Sequence, residues 1–149
     1  MYEYKCHVTK VVDGDTIEVI LDLGFNIFHG CKVRLLGIDT PESRTRNLDE
    51  KARGILAKNY LKTSINDDDQ DKKIIIKTYK ENSKGKFGRV IGEVWVNGIN
   101  INEDMINAYH AVPYNAENKK LIKGLHLQNR EKLIEQGLDD RADYVPLAI

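Results

Sequence analysis

The stretch Lys32-Val33-Arg34-Leu35-Leu36-Gly37-Ile38-Asp39-Thr40-Pro41-Glu42 runs an apolar strand into two carboxylates, with Arg34 inside the strand. A buried charge without a partner is costly and usually neutralises instead. If this strand is internal, Arg34, Asp39 and Glu42 must therefore serve one another or a ligand. A site is expected here, and the flanking chain is read for what completes it.

Upstream, Tyr2 to Val12 is rich in β-branched and aromatic residues, and Thr16 to Leu23 resumes that character after the turn Val12-Asp13-Gly14-Asp15. Lys32 to Ile38 is the third strand. Gly24 to Gly30 reads as the loop between, with Phe25, Ile27 and Phe28 packed against the barrel edge. Downstream, Leu48, Ala52, Ile55, Leu56 and Tyr60 recur at helical spacing, and Asp49 and Glu50 suit the first turn of a helix. The acidic run from Asn66 to Asp71 is a solvated loop before a fourth strand, Lys73 to Tyr79. After a turn at Asn82-Ser83-Lys84-Gly85, a fifth strand runs from Phe87 to Val96 and stops at Asn97-Gly98, a tight-turn signal.

Asn100 with Glu103 forms a capping pair for a short second helix. Leu121, Ile122, Leu125, Leu133 and Ile134 give a longer third helix, stopped near Gly137. Five strands, with one helix among them and two at the C-terminal end, make an α+β domain with an antiparallel sheet. This is compatible with a small closed barrel of oligonucleotide-binding type. The 149 residues form a single domain without linker or repeat, with an irregular tail over 139–149.

Hydrophobic residues make up 41% and charged residues 31%, an ordered globular composition rather than a disordered one. Lys+Arg and Asp+Glu number 23 each, so total charge gives no argument for a polyanionic partner. The distribution is less even. Lys32, Arg34, Arg44, Arg46, Lys51 and Arg53, joined by Lys84, Lys86 and Arg89, predict a local basic face. Cys6 and Cys31 lack metal-ligand spacing and read as reduced, partly buried thiols. His7, His29, His110 and His126 are scattered and read as surface or packing histidines. Nothing after Met1 resembles a charged segment leading into an apolar run, and no stretch approaches a membrane span, so a cytoplasmic protein away from membranes is expected.

Three separated pieces carry chemistry: Asp13-Gly14-Asp15-Thr16, Arg34 through Glu42, and Phe87-Gly88-Arg89. Residues two apart on a strand share a face, so Asp13 and Asp15 can address one ligand. Carboxylates converging without His or Cys describe a hard-oxygen site suited to Ca²⁺ or Mg²⁺. Each piece alone has a plainer reading: a polar turn, a capped helix start, a structural ion pair.

Together, and in this order, the three pieces resemble the thermonuclease family, the staphylococcal-nuclease-like domain, over roughly residues 5–138. The resemblance implies a five-stranded barrel with three helices. It implies Asp15, Asp39 and the Thr40 carbonyl as Ca²⁺ ligands, with Mg²⁺ or Mn²⁺ as alternatives, and Asp13 as an outer-sphere support. Glu42 would activate the attacking water, and Arg34 and Arg89 would grip the scissile phosphate. Lys86, Phe87 and Tyr114 would bind the nucleotide. The implied activity is hydrolysis of DNA and RNA by a monomer, single-stranded or breathing duplex being favoured, with little sequence specificity and with 3′-phosphate ends. The competing expectation is a non-catalytic nucleic-acid or protein-binding module on the same barrel. The complete set of Asp15, Asp39, Glu42, Arg34 and Arg89 favours the enzyme.

Overall fold

The computed structural model describes residues 1–65, 72–79, 89–114 and 119–138. Strand β1 (Tyr2–Asp13) turns at Gly14-Asp15 into β2 (Thr16–Asp22), which pairs with β3 (Phe28–Leu35) so that Thr16 faces Arg34. The chain then forms β4 (Ile38–Asp39), α1 (Leu48–Ile65), β5 (Ile74–Thr78), β6 (Val90–Val96) and β7 (Ile99–Asn100). It ends with α2 (Ile101–Asn107), β8 (Val112–Pro113) and α3 (Lys119–Glu135).

The barrel order is β3-β2-β1-β5-β6, and β6 returns to β3 to close it. The closing pair is parallel, with Val33 opposite Val90 and Arg34 opposite Ile91, whereas the other four barrel pairings are antiparallel. The five-stranded barrel is therefore mixed rather than wholly antiparallel. A parallel pair needs a long crossover, and the segment carrying α1 and β5 provides it.

Alternate residues of the strands point inward, as the pleat requires. Ile17, Val33, Ile76 and Val94 are completely buried, joined by Leu61 of α1 and Met105 of α2. The caps agree with the sequence pattern. The Asn100 side chain accepts the Glu103 N–H at 3.2 Å, and Gly137 takes the positive φ of 73° that ends α3. Cys6 and Cys31 are half-buried and form no disulfide. Among the described residues no helix is long and apolar enough to cross a membrane. The acidic run over 66–71, the turn at 82–85 and the tail over 139–149 lie outside the described residues.

Two expectations need correction. Phe25, Ile27 and Phe28 do not pack on the barrel edge, and Phe25 is 97% exposed. Phe25 and Asn26 both have positive φ, and Ile27 donates its N–H to the Gly24 carbonyl at 2.9 Å. That two-residue turn lets the β2–β3 hairpin run past the barrel wall, so its tip has nothing to pack against. In α1 the buried face is Arg53, Gly54, Ala57, Leu61 and Ile65, rotated from the expected stripe of Leu48, Ala52, Ile55, Leu56 and Tyr60. The helix turns this way because Arg53 is paired inside, to Asp49 at 3.4 Å, and because Gly54 permits a backbone approach. Tyr60 packs against the core while its hydroxyl donates to Asp104 at 2.7 Å and its ring meets His110, tying α1 to α2.

Gly54 is the tightest of these contacts. A Cβ there would lie 2.4 Å from the Glu42 carbonyl oxygen and 2.7 Å from the Ser43 nitrogen, both backbone atoms. Gly54→Ala is expected to lower the melting temperature, because about 1–3 kcal/mol of overpacking exceeds the helix-propensity gain of about 1 kcal/mol. Gly124→Ala in α3, where a Cβ meets nothing within 4 Å, is expected to raise it. Paired thermal melts of the two variants check the contrast.

Candidate active site

The β1–β2 turn is pressed between α1 and the Asp39–Thr40 segment. A Cβ on Gly14 would lie 2.8 Å from the Ala57 Cβ and 3.0 Å from the Thr40 Oγ1. Because Thr16 faces Arg34 across the β2–β3 ladder, the residue before Thr16 arrives beside the guanidinium. Asp15 Oδ2 sits 3.2 Å from Arg34 Nη1 and accepts the Thr40 N–H at 3.3 Å, while Oδ1 accepts the Thr16 hydroxyl at 3.0 Å. Asp39 Oδ1 lies 3.6 Å from Arg34 Nη2. Asp13 accepts a short hydrogen bond from the Ser43 hydroxyl. The Glu42 N–H donates to Glu50 at 3.1 Å, which fixes the backbone that carries the Glu42 carboxyl.

This crowd of carboxylates has an electrostatic signature. Burial pushes the Asp15 carboxyl above its ordinary pKa, with Asp39 adding to the rise, against lowering by Arg34 and by the Thr16 and Thr40 hydrogen bonds. Glu42 is also raised, first by burial and then by repulsion from Asp13, Asp15, Glu50 and Asp39. Asp13, Asp15, Asp39 and Glu50 thus gather around Glu42, and only Asp15 and Asp39 are paired to Arg34, so negative charge is in excess and a further cation would relieve it.

The donors fit a hard cation in chemical type, since Asp15 and Asp39 are oxygen ligands that already converge on a positive group. Among the described residues the buried Thr40 Oγ1 has no hydrogen-bond partner, which leaves an oxygen beside them unspent. Among the described residues no group of three or more His, Cys, Asp and Glu side chains is arranged to hold a metal ion. An ion here would therefore rely on two carboxylates, with backbone and water oxygens completing its shell.

Of the other predicted positions, Arg89 stands immediately before β6, whose parallel register with β3 sets Val90 opposite Val33 and so brings Arg89 alongside the strand that carries Arg34. Tyr114 donates its N–H to the Gly37 carbonyl at 2.8 Å, just after β8 pairs Val112 with Asp39. It is therefore held next to the carboxylate segment. Lys86 and Phe87 lie outside the described residues.

A family model described as staphylococcal nuclease homologue matches residues 32–139. The chain belongs to the staphylococcal nuclease family. An uncharacterized endonuclease of Escherichia coli is 29% identical over 140 residues, covering 93% of this chain and 79% of that protein. The thermonuclease of Staphylococcus intermedius is 32% identical over 89 residues, covering 60% of this chain and 47% of that protein. Endonuclease YhcR of Bacillus subtilis is 33% identical over 118 residues, covering 75% of this chain but 9% of that protein. Membership of the staphylococcal nuclease family and the names of these relatives support a nuclease.

Sequence reasoning missed His126. It is buried, and its Nε2 lies 2.8 Å from Asp39 Oδ2, on the oxygen that Arg34 leaves free. An ionised carboxylate only accepts, so the bond places the ring proton on Nε2. Arg53 donates to the His126 carbonyl at 3.4 Å, and Asp49 clasps both Arg53, at 3.4 Å, and Arg130, at 3.0 Å, locking α3 to α1 behind the site. The usable signal was helical spacing, since His126 follows the buried Ile122 by four residues. The expected basic face is correspondingly reduced, because Arg34 and Arg53 turn inward to carboxylates.

Glu42 is held ionised against its surroundings at neutral pH, which has a measurable sign. A carboxyl whose folded pKa is raised favours the folded state below its unfolded value, and that benefit is lost as pH rises through the folded one. Glu42→Gln is therefore expected to raise the melting temperature at neutral pH in EDTA. The advantage should vanish as pH falls below about 4.5, where Glu42 is protonated in both states. Calorimetry of both proteins across pH checks this.

Proposed function

We propose that the chain is a Ca²⁺-dependent nuclease that hydrolyses phosphodiester bonds of DNA and RNA with little sequence preference, Mg²⁺ or Mn²⁺ being alternative metals. The observation that carries this reading is the convergence of Asp15 and Asp39 on Arg34, with Glu42 in the same pool of negative charge. In this reading Asp15, Asp39 and the Thr40 carbonyl hold the ion, and Asp13 supports it through water. When bound, Ca²⁺ supplies charge that neutralises the scissile phosphate and lets an anionic nucleophile approach.

The chain's own groups do the rest. Glu42, raised in pKa and so a better proton acceptor than an ordinary carboxylate, orients a water and takes its proton. Arg34 is ion-paired to Asp15 and Asp39 and donates one of its five N–H groups to the Leu35 carbonyl, at 3.4 Å, leaving donors for phosphate oxygens. Arg89 adds a second guanidinium, and both stabilise the charge that grows on the phosphate in the transition state. The water oxygen bonds to phosphorus, the 5′ P–O bond breaks, and the departing oxygen takes a proton from solvent. The products are a 3′-phosphate and a 5′-hydroxyl. Tyr114 offers a ring for base stacking, which is tolerant of sequence, and Lys86 and Phe87 are assigned to the same nucleotide.

Digestion of denatured DNA is expected with Ca²⁺ and not with EDTA. Glu42→Gln, Arg34→Ala and Arg89→Ala should each slow it on the order of a hundredfold or more. Equal digestion by all four proteins, or none by the unaltered chain with Ca²⁺, Mg²⁺ or Mn²⁺, would refute the enzyme. Products that accept phosphate from polynucleotide kinase without prior phosphatase treatment would confirm the assigned bond.

His126 enters through Asp39. His126→Ala is expected to raise the Ca²⁺ concentration for half-maximal rate by about tenfold or more, as loss of a group that orients a metal ligand commonly does. A Ca²⁺ titration of activity in parallel with the unaltered chain measures it.

A further inference from the structure

Beyond the nucleotide bound at the reaction centre, we infer that the groove between β1 and α1 holds the phosphates of a single nucleic-acid strand leaving the active site, through Lys10, Lys58 and Lys62. The inference rests on the reading that the substrate is a nucleic acid. The groove is open, about 380 Å³ in volume, and lined by Val8, Thr9, Val11 and Ile65 together with these lysines. Lys10 and Lys62 are exposed and Lys58 is half-buried. Among the described residues none of the three is in an ion pair, although Lys10 stands opposite Glu18 in the β1–β2 ladder. Three ammonium groups around one groove make a local positive patch, and the natural complement of such a patch is a polyanion.

Two features of the fold build the groove and aim it. Lys58 and Lys62 are four residues apart on α1 and so stand on one face, about 6 Å apart along the axis. On β1, a register shift between Val8 and Lys10 sets aside Thr9, so that Val8 and Val11 both face the core while Lys10 is re-aimed outward. The groove starts at the site itself. Gly14, between Asp13 and Asp15, is in contact with Ala57, the residue before Lys58. Lys58 and Lys62 follow Ala57 on α1 and Lys10 precedes Asp13 on β1, and all three line the groove. The apolar floor gives sugars a surface to lie on without specifying a base. Spacing and charge therefore match a sugar–phosphate backbone rather than a single phosphate.

The test measures binding of dodecathymidylate and of a thymidine dinucleotide in EDTA, so that no turnover occurs, over a range of KCl concentrations. Replacing Lys10, Lys58 and Lys62 together by Gln is expected to lower the log–log salt slope for the dodecamer by about 2, since each phosphate contact on a single strand contributes about 0.7. Dodecamer affinity should fall on the order of tenfold to a hundredfold at ~0.1 M salt. Dinucleotide binding, and its hydrolysis with Ca²⁺, should stay unchanged. The triple Lys→Arg variant should keep the original slope, which separates charge from damage to the fold.

An unchanged slope in the Gln variant would overturn the inference. So would an equal loss for dodecamer and dinucleotide. Lysine-dependent binding to phosphatidylglycerol vesicles with no effect on the dodecamer would assign the groove to a membrane surface instead. The nuclease reading fails separately: a slope that responds to the lysines in a chain that cleaves neither substrate would leave the groove standing and remove the enzyme.

Discussion

Arg34 lies between two carboxylates that reach it from different parts of the chain, Asp15 at 3.2 Å and Asp39 at 3.6 Å. Asp15 comes from the β1–β2 turn, and Asp39 from the short strand after β3. Neither would remain near the other without a cation between them, since two carboxylates sharing a partly buried space repel and raise each other's pKa. The guanidinium is suited to the place because its planar fork addresses both at once and stays charged throughout. The barrel serves this convergence. The β2–β3 register puts Thr16 opposite Arg34, and the parallel β3–β6 closure fixes the strand that carries the arginine.

The helices act as spacers behind that arrangement. At Gly14 and Gly54, α1 touches backbone and small side chains closely enough that an added methyl would collide, and both contacts bear on segments that carry carboxylates. Just before Gly54, Arg53 is buried and paired to Asp49, which also holds Arg130 of α3. The same arginine donates to the carbonyl of His126, whose ring is bonded to Asp39. One continuous set of polar contacts therefore joins α1, α3 and the carboxylate segment. A helix that is third in the sequence helps to set the direction of an oxygen on a strand eighty-seven residues earlier.

The site keeps more negative charge than the fold alone favours. Burial and mutual repulsion raise both Asp15 and Glu42, so the arrangement is strained at neutral pH in a way that a bound cation and an anionic substrate beside Arg34 and Arg89 would relieve. Arg34 and Arg53 turn inward to carboxylates, whereas Lys10, Lys58 and Lys62 line the open β1–α1 groove.

Local chemistry made much of this legible in the sequence. The turn residues at Asp13-Gly14-Asp15, the alternation through Lys32 to Leu35, the Asn100–Glu103 cap and the stop at Gly137 each act within a few residues, so their spacing identifies strands, helices and ends directly. The ordered carboxylate and arginine motifs pointed to the family for the same reason. What the sequence left open depends on which distant surfaces meet. The rotation of α1 follows from a buried ion pair and a backbone contact at Gly54; the parallel barrel closure follows from where β6 lands. His126 looked like an isolated histidine because its partner, Asp39, is far away in the chain. The outward hairpin tip and the lysine groove are likewise properties of packing. Spacing along a chain fixes which way a residue faces on its own element, and only the assembled fold decides what it faces.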